Sequence, residues 1–380
     1  MSSDVIQTGE YTWLNTGNEA FPAMLAAIEG ARHSVALETY IFKAGAPGDR
    51  FREALVRSCR RGVRVRVLLD GLGSHSLPAS FWDSLQEAGG QVRYFNPLSL
   101  ERLGIRDHRK LLVCDNEVAF VGGFNIAPEY EGDGVHSGWH DVGLRLKGPL
   151  VPQLAASFDE MFERAEFRHK RFVLLRKSNA RRAIQGAGEQ LLLSGPARGG
   201  SPIKAALRRD LAAARSVRIM VAYFLPTWRL RRHLFRVARS GGRVQLLLAG
   251  KSDVRVSQLA GQSLYGRFLR AGVEIYEYQP QILHAKLLII DDAVYIGSAN
   301  LDHRSLNINY ELMLRFERPG MAREASELFE QALQHSKPVT RESWRSSVSF
   351  WQRLKQHWAY LILVRLDSYI ARWQWRALPD

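Results

Sequence analysis

Hydrophobic positions fall into two periods along this chain. Residues 21–30 (FPAMLAAIEG) carry apolar side chains at helical spacing, and the run Ser34 to Phe42 that follows is β-branched and strand-like. A basic helical pattern then feeds an apolar strand in FREALVRSCRRGVRVRVLLDG (51–71), and LQEAGGQVRYF (85–95) ends on another. The succession returns later. A helical pattern runs from Pro202 to Ala214, followed by a strand-like run from Val217 to Leu225. LRRHLFRVARSGGRVQLLLAG (230–250) and FLRAGVEIYEY (268–278) complete the second set. Tyr40 and Tyr223 hold the seventh place of their respective strand runs. Strands alternating with helices of about ten to fifteen residues predict an α/β fold with a largely parallel sheet. The recurrence predicts two duplicated α/β/α sandwich lobes related by a pseudo-twofold axis.

Each set runs into the same block. The first is His108-Arg-Lys110-Leu-Leu-Val-Cys-Asp115, and the second, 176 residues on, is His284-Ala-Lys286-Leu-Leu-Ile-Ile-Asp291. Cys114-Asp115-Asn116 and Asp291-Asp292 read as turns into a further strand, so each sheet is expected to end in a hairpin. Gly122-Gly123-Phe124-Asn125 and Gly297-Ser298-Ala299-Asn300 follow. Beyond them His140-Asp141 corresponds to Tyr310-Glu311 at an offset of 170, so the first half holds about six extra residues, placed in the Gly-rich loop Pro128 to Gly138. The expected organisation is a first lobe over 1–175, a linker over 176–190, a second lobe over 191–335 and a tail over 336–380.

The tail has a different pattern. Trp344, Trp351 and Trp358 recur every seven residues, with Val348, Leu354, Leu361 and Ile362 on the same side of one amphipathic helix. Five of the nine tryptophans lie here among Arg341, Arg345, Arg353, Lys355, Arg365, Arg372 and Arg376. Such a helix suits the headgroup layer of an anionic membrane, with contact through residues 342–376. The competing expectation is a helical hairpin packed on the body or on a second subunit.

Composition narrows the partners. A chain of 380 residues with 46% hydrophobic content has material for two cored domains. The formal charge of +15 implies an anionic partner: nucleic acid, anionic membrane or phosphorylated substrate. Cys59 and Cys114 read as small buried residues, and no His/Cys spacing suggests a metal site, so no metal and no cofactor are expected. The first ten residues resemble no signal peptide, and no apolar run reaches the roughly 18–20 residues of a membrane span. The expected location is the cytosol or the cytosolic face of a membrane.

On a strand, His108 and Lys110 share one face, as do His284 and Lys286. Two such strands brought together surround a cavity with two imidazoles, two ammonium groups and the amides of Asn125 and Asn300, a set suited to a phosphate diester. Lysines and asparagines would hold the non-bridging oxygens. One imidazole would attack phosphorus while the other protonates the leaving oxygen, and the repeat symmetry does not say which is which. A carboxylate behind each ring is expected, and Asp141 and Glu311 are the candidates. Asp115 and Asp291 are expected to be structural turn residues. Gly122, Gly123 and Gly297 are expected to let the backbone approach the phosphate, and Ser298 is expected to be a structural residue of the motif.

The paired H-x-K-x4-D blocks resemble the phospholipase D superfamily, and within it the phospholipase D-type cardiolipin synthases of bacteria. The likeness covers about residues 10–335 and includes Gly297 to Ser305 and Asn309-Tyr-Glu311. It implies the phospholipase D fold, with His108 as nucleophile and His284 as general acid/base. It also implies phosphate binding by Lys110, Lys286, Asn125 and Asn300, and support of the histidines by Asp141 and Glu311. The implied reaction moves a phosphatidyl group, from phosphatidylglycerol or phosphatidylethanolamine, through a phosphohistidine to phosphatidylglycerol, giving cardiolipin. The implied location is the cytoplasmic face of the bacterial inner membrane. The alternatives are a phospholipase D hydrolase, a nuclease of the same superfamily, and a non-catalytic binder. The Trp-rich tail disfavours nucleic acid, and the two intact blocks disfavour a non-catalytic scaffold.

Overall fold

The computed structural model describes residues 9–97, 104–165, 181–185, 188–196 and 200–366. They form two mixed sheets. The first contains β1 (Glu10–Leu14), β2 (Ser34–Thr39), β3 (Arg64–Asp70), β4 (Gln91–Phe95), β5 (Leu111–Cys114), β6 (Val118–Gly122) and β7 (Gly143–Lys147), in the order β1-β7-β6-β5-β2-β3-β4. The second contains β8 (Arg182–Gln185), β9 (Glu189–Ser194), β10 (Ser216–Val221), β11 (Arg243–Ala249), β12 (Glu274–Tyr278), β13 (Lys286–Ile290), β14 (Ala293–Gly297), β15 (Glu311–Glu317) and β16 (Ser336–Val339), in the order β16-β12-β11-β10-β13-β14-β15-β9-β8. The central order β7-β6-β5-β2-β3-β4 is repeated by β15-β14-β13-β10-β11-β12, so the duplication extends to strand order.

Each sheet is less parallel than its sequence suggests. Among the described strands only β2-β3-β4 and β10-β11-β12 pair in parallel, each step between them passing through a helical crossover. The β5–β6 and β13–β14 hairpins lie inside their sheets rather than at an edge, since β7 and β15 pair beyond them. Being central, β5 and β13 are buried on both faces, which accounts for the unbroken apolar runs after Lys110 and Lys286.

Three apolar clusters hold the layers. Phe21, Phe51 and Leu112 anchor the outer layer of the first lobe, and Leu207, Leu234 and Phe268 that of the second. The third lies between the lobes. It packs Val113, Leu144 and Phe158 of one with Leu287, Leu312 and Phe329 of the other.

Two boundaries differ from expectation. Within the segment read as a linker over 176–190, Arg182–Gln185 is a strand and Glu189 begins the next, and β9 pairs with β15. Residues 176–180 and 186–187 of that segment lie outside the described residues. The tail begins in the sheet, because Ser336–Val339 pairs with β12. It continues as two helices, Arg341–Ser347 and Phe350–Leu361, separated at Val348, whose φ of −106° and ψ of 105° are extended. The break turns Trp344 against the Tyr265 ring, 4.8 Å between centroids, while Trp351 and Trp358 stay 69% and 58% exposed. The three tryptophans therefore share no single helical stripe. Residues 367–380, with Arg372 and Arg376, lie outside the described residues. No described helix is long and apolar enough to cross a membrane.

Candidate active site

The two halves meet through backbone hydrogen bonds at the motif histidines. The His108 N–H donates to the Tyr310 carbonyl (3.0 Å), and the Tyr310 N–H to the Arg106 carbonyl (2.9 Å). Symmetrically, the His284 N–H donates to the His140 carbonyl (2.7 Å), and the His140 N–H to the Ile282 carbonyl (2.9 Å). Each motif segment is thus docked on the other lobe, beside the residue that precedes that lobe's carboxylate. The side chains cross accordingly. His108 Nδ1 lies 3.1 Å from both carboxylate oxygens of Glu311, and His284 Nδ1 lies 2.6 Å from Asp141 Oδ2. With Nδ1–H donating to a carboxylate, each ring keeps its Nε2 lone pair for chemistry.

Lys110 Nζ donates to the His108 carbonyl at 2.7 Å, and Lys286 Nζ donates to the His284 carbonyl and stands 3.1 Å from His284 Nε2. Both histidines, both lysines, Asp141 and Glu311 are buried, His108 being the most accessible at 9%. Burial and then Lys286 push Lys110 down to about 7, and burial pushes Lys286 down to about 8. Burial lowers His108 against the pull of Glu311, while burial and Lys286 take His284 down to about 4. Burial works against ionised Asp141, but His284 and Lys286 outweigh it and hold the carboxyl below its usual range. An arriving phosphate diester would reverse the repulsion among these cations and raise their proton affinity.

The asparagines are placed unequally. The Asn125 carbonyl accepts from the Ile41 N–H (3.0 Å), and its amide donates to the Tyr130 hydroxyl (2.6 Å), so it acts on its neighbours rather than presenting a free amide. Asn300 is buried with its side-chain carbonyl unpartnered among the described residues. Asp115 and Asp291 stand away from the histidines, at left-handed φ of 56° and 49°. The Asp115 carboxylate accepts from the backbone N–H groups of Arg32, His33 and Ser34, and Asp291 from those of Arg215 and Ser216.

The glycines give room to neighbouring protein atoms. A Cβ on Gly123 would lie 2.1 Å from Asp141 Oδ1, and one on Gly122 2.6 Å from the Gly143 Cα. A Cβ on Gly297 would meet the Leu312 carbonyl oxygen at 2.2 Å. Ser298, the counterpart of Gly123, donates its hydroxyl to Glu311 Oε2 (2.5 Å) and accepts from the Leu312 N–H (3.0 Å). One carboxylate thus leans on a glycine and the other on a serine.

Three aromatic residues escaped the sequence reading. The Tyr130 hydroxyl is 3.3 Å from His284 Nε2, and the Trp139 ring lies 5.6 Å from that imidazole. Both belong to the region around the first-half insertion, whose position between Asn125 and Asp141 was the available signal. The Tyr40 ring packs edge-on against His108 at 5.0 Å, with Lys110 Nζ 5.3 Å from its centroid. Its counterpart is not Tyr223. Val35 pairs with Cys114 and Val217 with Ile290, which makes Tyr40 equivalent to Ala222, and Tyr223 instead donates to Asp253 (2.6 Å).

Known proteins match this arrangement. The family described as "Cardiolipin synthase, PLD-like domain" matches residues 24–165 and 207–333. The chain is 32% identical over 349 residues to cardiolipin synthase 1 of Bacillus cereus, covering 86% of this chain and 67% of that protein. It is 33% identical over 357 residues to cardiolipin synthase A of Pseudomonas aeruginosa, covering 92% and 72% respectively. The crystal structure of phosphatidylserine synthase from Haemophilus influenzae superposes with a TM-score of 0.75 at 12% identity, covering 95% of this chain and 94% of that one, a likeness of fold. With two lobes, two crossed histidine–carboxylate pairs and these matches, the chain belongs to the phospholipase D-like cardiolipin synthase family.

Proposed function

We propose that this protein is a phosphatidyltransferase that forms cardiolipin. In this reading His108 Nε2 attacks the phosphorus of a phospholipid, forming a P–N bond as the P–O bond to the headgroup alcohol breaks. His284, protonated once the anionic diester sits beside it, gives its Nε2 proton to the departing alkoxide. The hydroxyl of phosphatidylglycerol then attacks phosphorus, His284 takes its proton, and the P–N electron pair returns to His108. Lys110 and Lys286 hold the non-bridging oxygens as charge builds on them, and Asn300 orients the diester. Asn125 acts through Tyr130.

The crossed pairs His108–Glu311 and His284–Asp141 carry this reading, because each carboxylate holds its ring through Nδ1 and leaves Nε2 for the reaction. The assignment of His108 as nucleophile is supported by its environment. Its Nε2 has no protein partner among the described residues, whereas that of His284 has Lys286 and Tyr130 beside it. The donor is phosphatidylglycerol or phosphatidylethanolamine, and the work takes place at an anionic membrane surface on the cytoplasmic side. The exposed side chains of Phe350, Trp351, Leu354 and Trp358 support the membrane contact proposed for residues 342–376.

Purified protein incubated with phosphatidylglycerol vesicles is expected to release glycerol and form cardiolipin. Phosphatidic acid alone would make it a hydrolase, and cleavage of single-stranded DNA without lipid turnover would make it a nuclease. His108→Ala is expected to abolish the acid-labile phosphoenzyme; a signal that survives would move the nucleophile to His284.

A further inference from the structure

The duplicated lobes allow the same pair of outer helices to be compared twice. In the first lobe, Gly17–Gly30 and Ala46–Arg60 carry four arginines and four carboxylates. Arg50 pairs there with Glu131, Arg52 with Asp49, and Arg57 with Glu29. In the second lobe, Pro202–Asp210 and Trp228–Arg239 carry eight lysines and arginines against the single Asp210. That aspartate is held by Arg209 and Arg315. No carboxylate among the described residues pairs with Arg208, Arg229, Arg231, Arg232, Arg236 or Arg239. Equivalent helices in one chain thus differ in compensated charge, so the excess is local to the second lobe and not a general property of the fold.

Between these two helices lies a cavity of about 400 Å³ outside the catalytic centre. Its polar wall holds Lys204, Arg208 and Arg229, and its apolar wall Leu207, Leu230 and Leu306. The Trp228 indole stands at its edge, 62% exposed. Lys204 donates to the Asn307 side-chain carbonyl, and burial with the nearby Arg181 and Arg229 lowers its proton affinity. The same layer continues into the tail. Arg231 donates to the Tyr360 hydroxyl (3.3 Å), which ties this helix to Phe350–Leu361 and its outward tryptophans.

We infer that this cavity is a second phospholipid site, which takes the phosphate of an anionic glycerophospholipid on Lys204, Arg208 and Arg229 and its glycerol–acyl region against the leucines and Trp228. The amphipathic wall fits a lipid headgroup better than a free phosphate, and its continuity with the exposed tail indoles fits a bilayer better than nucleic acid. The ligand class rests on the phospholipid reading of the active site, but the site itself is separate.

The test is calorimetric titration of the full chain carrying His108→Ala, which binds substrate without turning it over, using dihexanoyl phosphatidylglycerol below its micelle concentration. Two equivalents are expected to bind, falling to one when Arg208→Glu and Arg229→Glu are added. A control with Arg60→Glu and Arg64→Glu, the same charge change on exposed arginines of the first lobe, is expected to keep two. All four charge-changed positions are exposed, and in a His108-intact chain Arg208→Glu with Arg229→Glu should leave turnover of a soluble diester unchanged. Equal stoichiometry with and without the second-lobe reversals would overturn the inference alone. No binding to either protein would overturn the phospholipid reading of the active site as well. Occupancy of the second site by dihexanoyl phosphatidylcholine would remove the anion requirement. Occupancy by inorganic phosphate at equal affinity would make it a phosphate site. Loss of single-stranded oligonucleotide binding in the reversed protein, with lipid stoichiometry unmoved, would reassign the face to nucleic acid.

Discussion

His284 Nδ1 lies 2.6 Å from the carboxylate of Asp141, a residue 143 positions earlier that belongs to the other lobe. Glu311 returns the relation to His108 across 203 positions. Each half of the chain therefore completes the other's histidine. Loss of one carboxylate should reproduce the defect of the histidine it touches, not of the histidine in its own half. Asp141→Asn should slow turnover of an alkyl diester about 10²–10⁴-fold, yet spare phosphoenzyme formation from a nitrophenyl diester, whose leaving group needs no proton. Glu311→Gln should slow both. Rapid-quench measurement of the burst separates the cases, and a reversed pattern would exchange the histidine roles.

Anion binding should weaken well below the ordinary lysine range. Lys110 and Lys286 hold their protons only below about 7 and about 8 in the empty site, so their positive charge is present at lower pH and lost as pH rises. Diethyl phosphate keeps one charge throughout and isolates this effect. Its affinity for the His108→Ala protein should fall between about pH 7 and 9, with proton uptake on binding visible in buffers of different ionisation enthalpy. Constant affinity to pH 10 would show that the lysines remain charged.

The glycine–serine difference should make the two halves respond unequally to small changes. Gly123→Ala drives a methyl group into Asp141, and both melting temperature and turnover should drop sharply. Ser298→Ala removes one of the two donors to Glu311, leaving His108, and takes the Ser298 acceptor from the Leu312 N–H. A cost of about 1–3 kcal/mol is expected in denaturant unfolding, with a smaller loss of turnover than for Glu311→Gln.

Asp115 should matter to folding and not to chemistry. Its carboxylate gathers three backbone N–H groups at the start of β2, and Asp115→Ala should cost about 2–4 kcal/mol of stability. The surviving folded protein should keep its KM and kcat for a soluble diester. A kcat loss in fully folded protein would place this residue in the reaction.

Replacing Trp351 and Trp358 by alanine should weaken pelleting with phosphatidylglycerol vesicles while leaving soluble-diester turnover intact, because both indoles face outward. Trp344→Ala should act differently, through stability, since its ring packs on Tyr265. Equal loss of pelleting in all three variants would mean that the tail folds as a unit before it meets a membrane.

Much of this protein follows from local pattern. Helical and strand periods, the paired blocks and the equivalence of Asp141 with Glu311 are one-dimensional regularities, so two lobes and a phosphodiester chemistry could be read directly. Which carboxylate serves which histidine could not, because it depends on bridges from Asp107 to Tyr310 and from His140 to Leu283, between segments far apart in the chain. A one-residue slip between the repeats set Tyr40 against His108 and made Ala222, not Tyr223, its equivalent in the second lobe. Glycines that look like phosphate-binding turns proved to make space for a neighbouring strand, a fact carried by distances and not by residue type. The tail's seven-residue tryptophan spacing assumed one continuous helix, and the extended backbone at Val348 divided it. Sequence determined the inventory of reacting groups. Tertiary structure decided their pairing, because contacts between lobes are set by packing that no local period encodes.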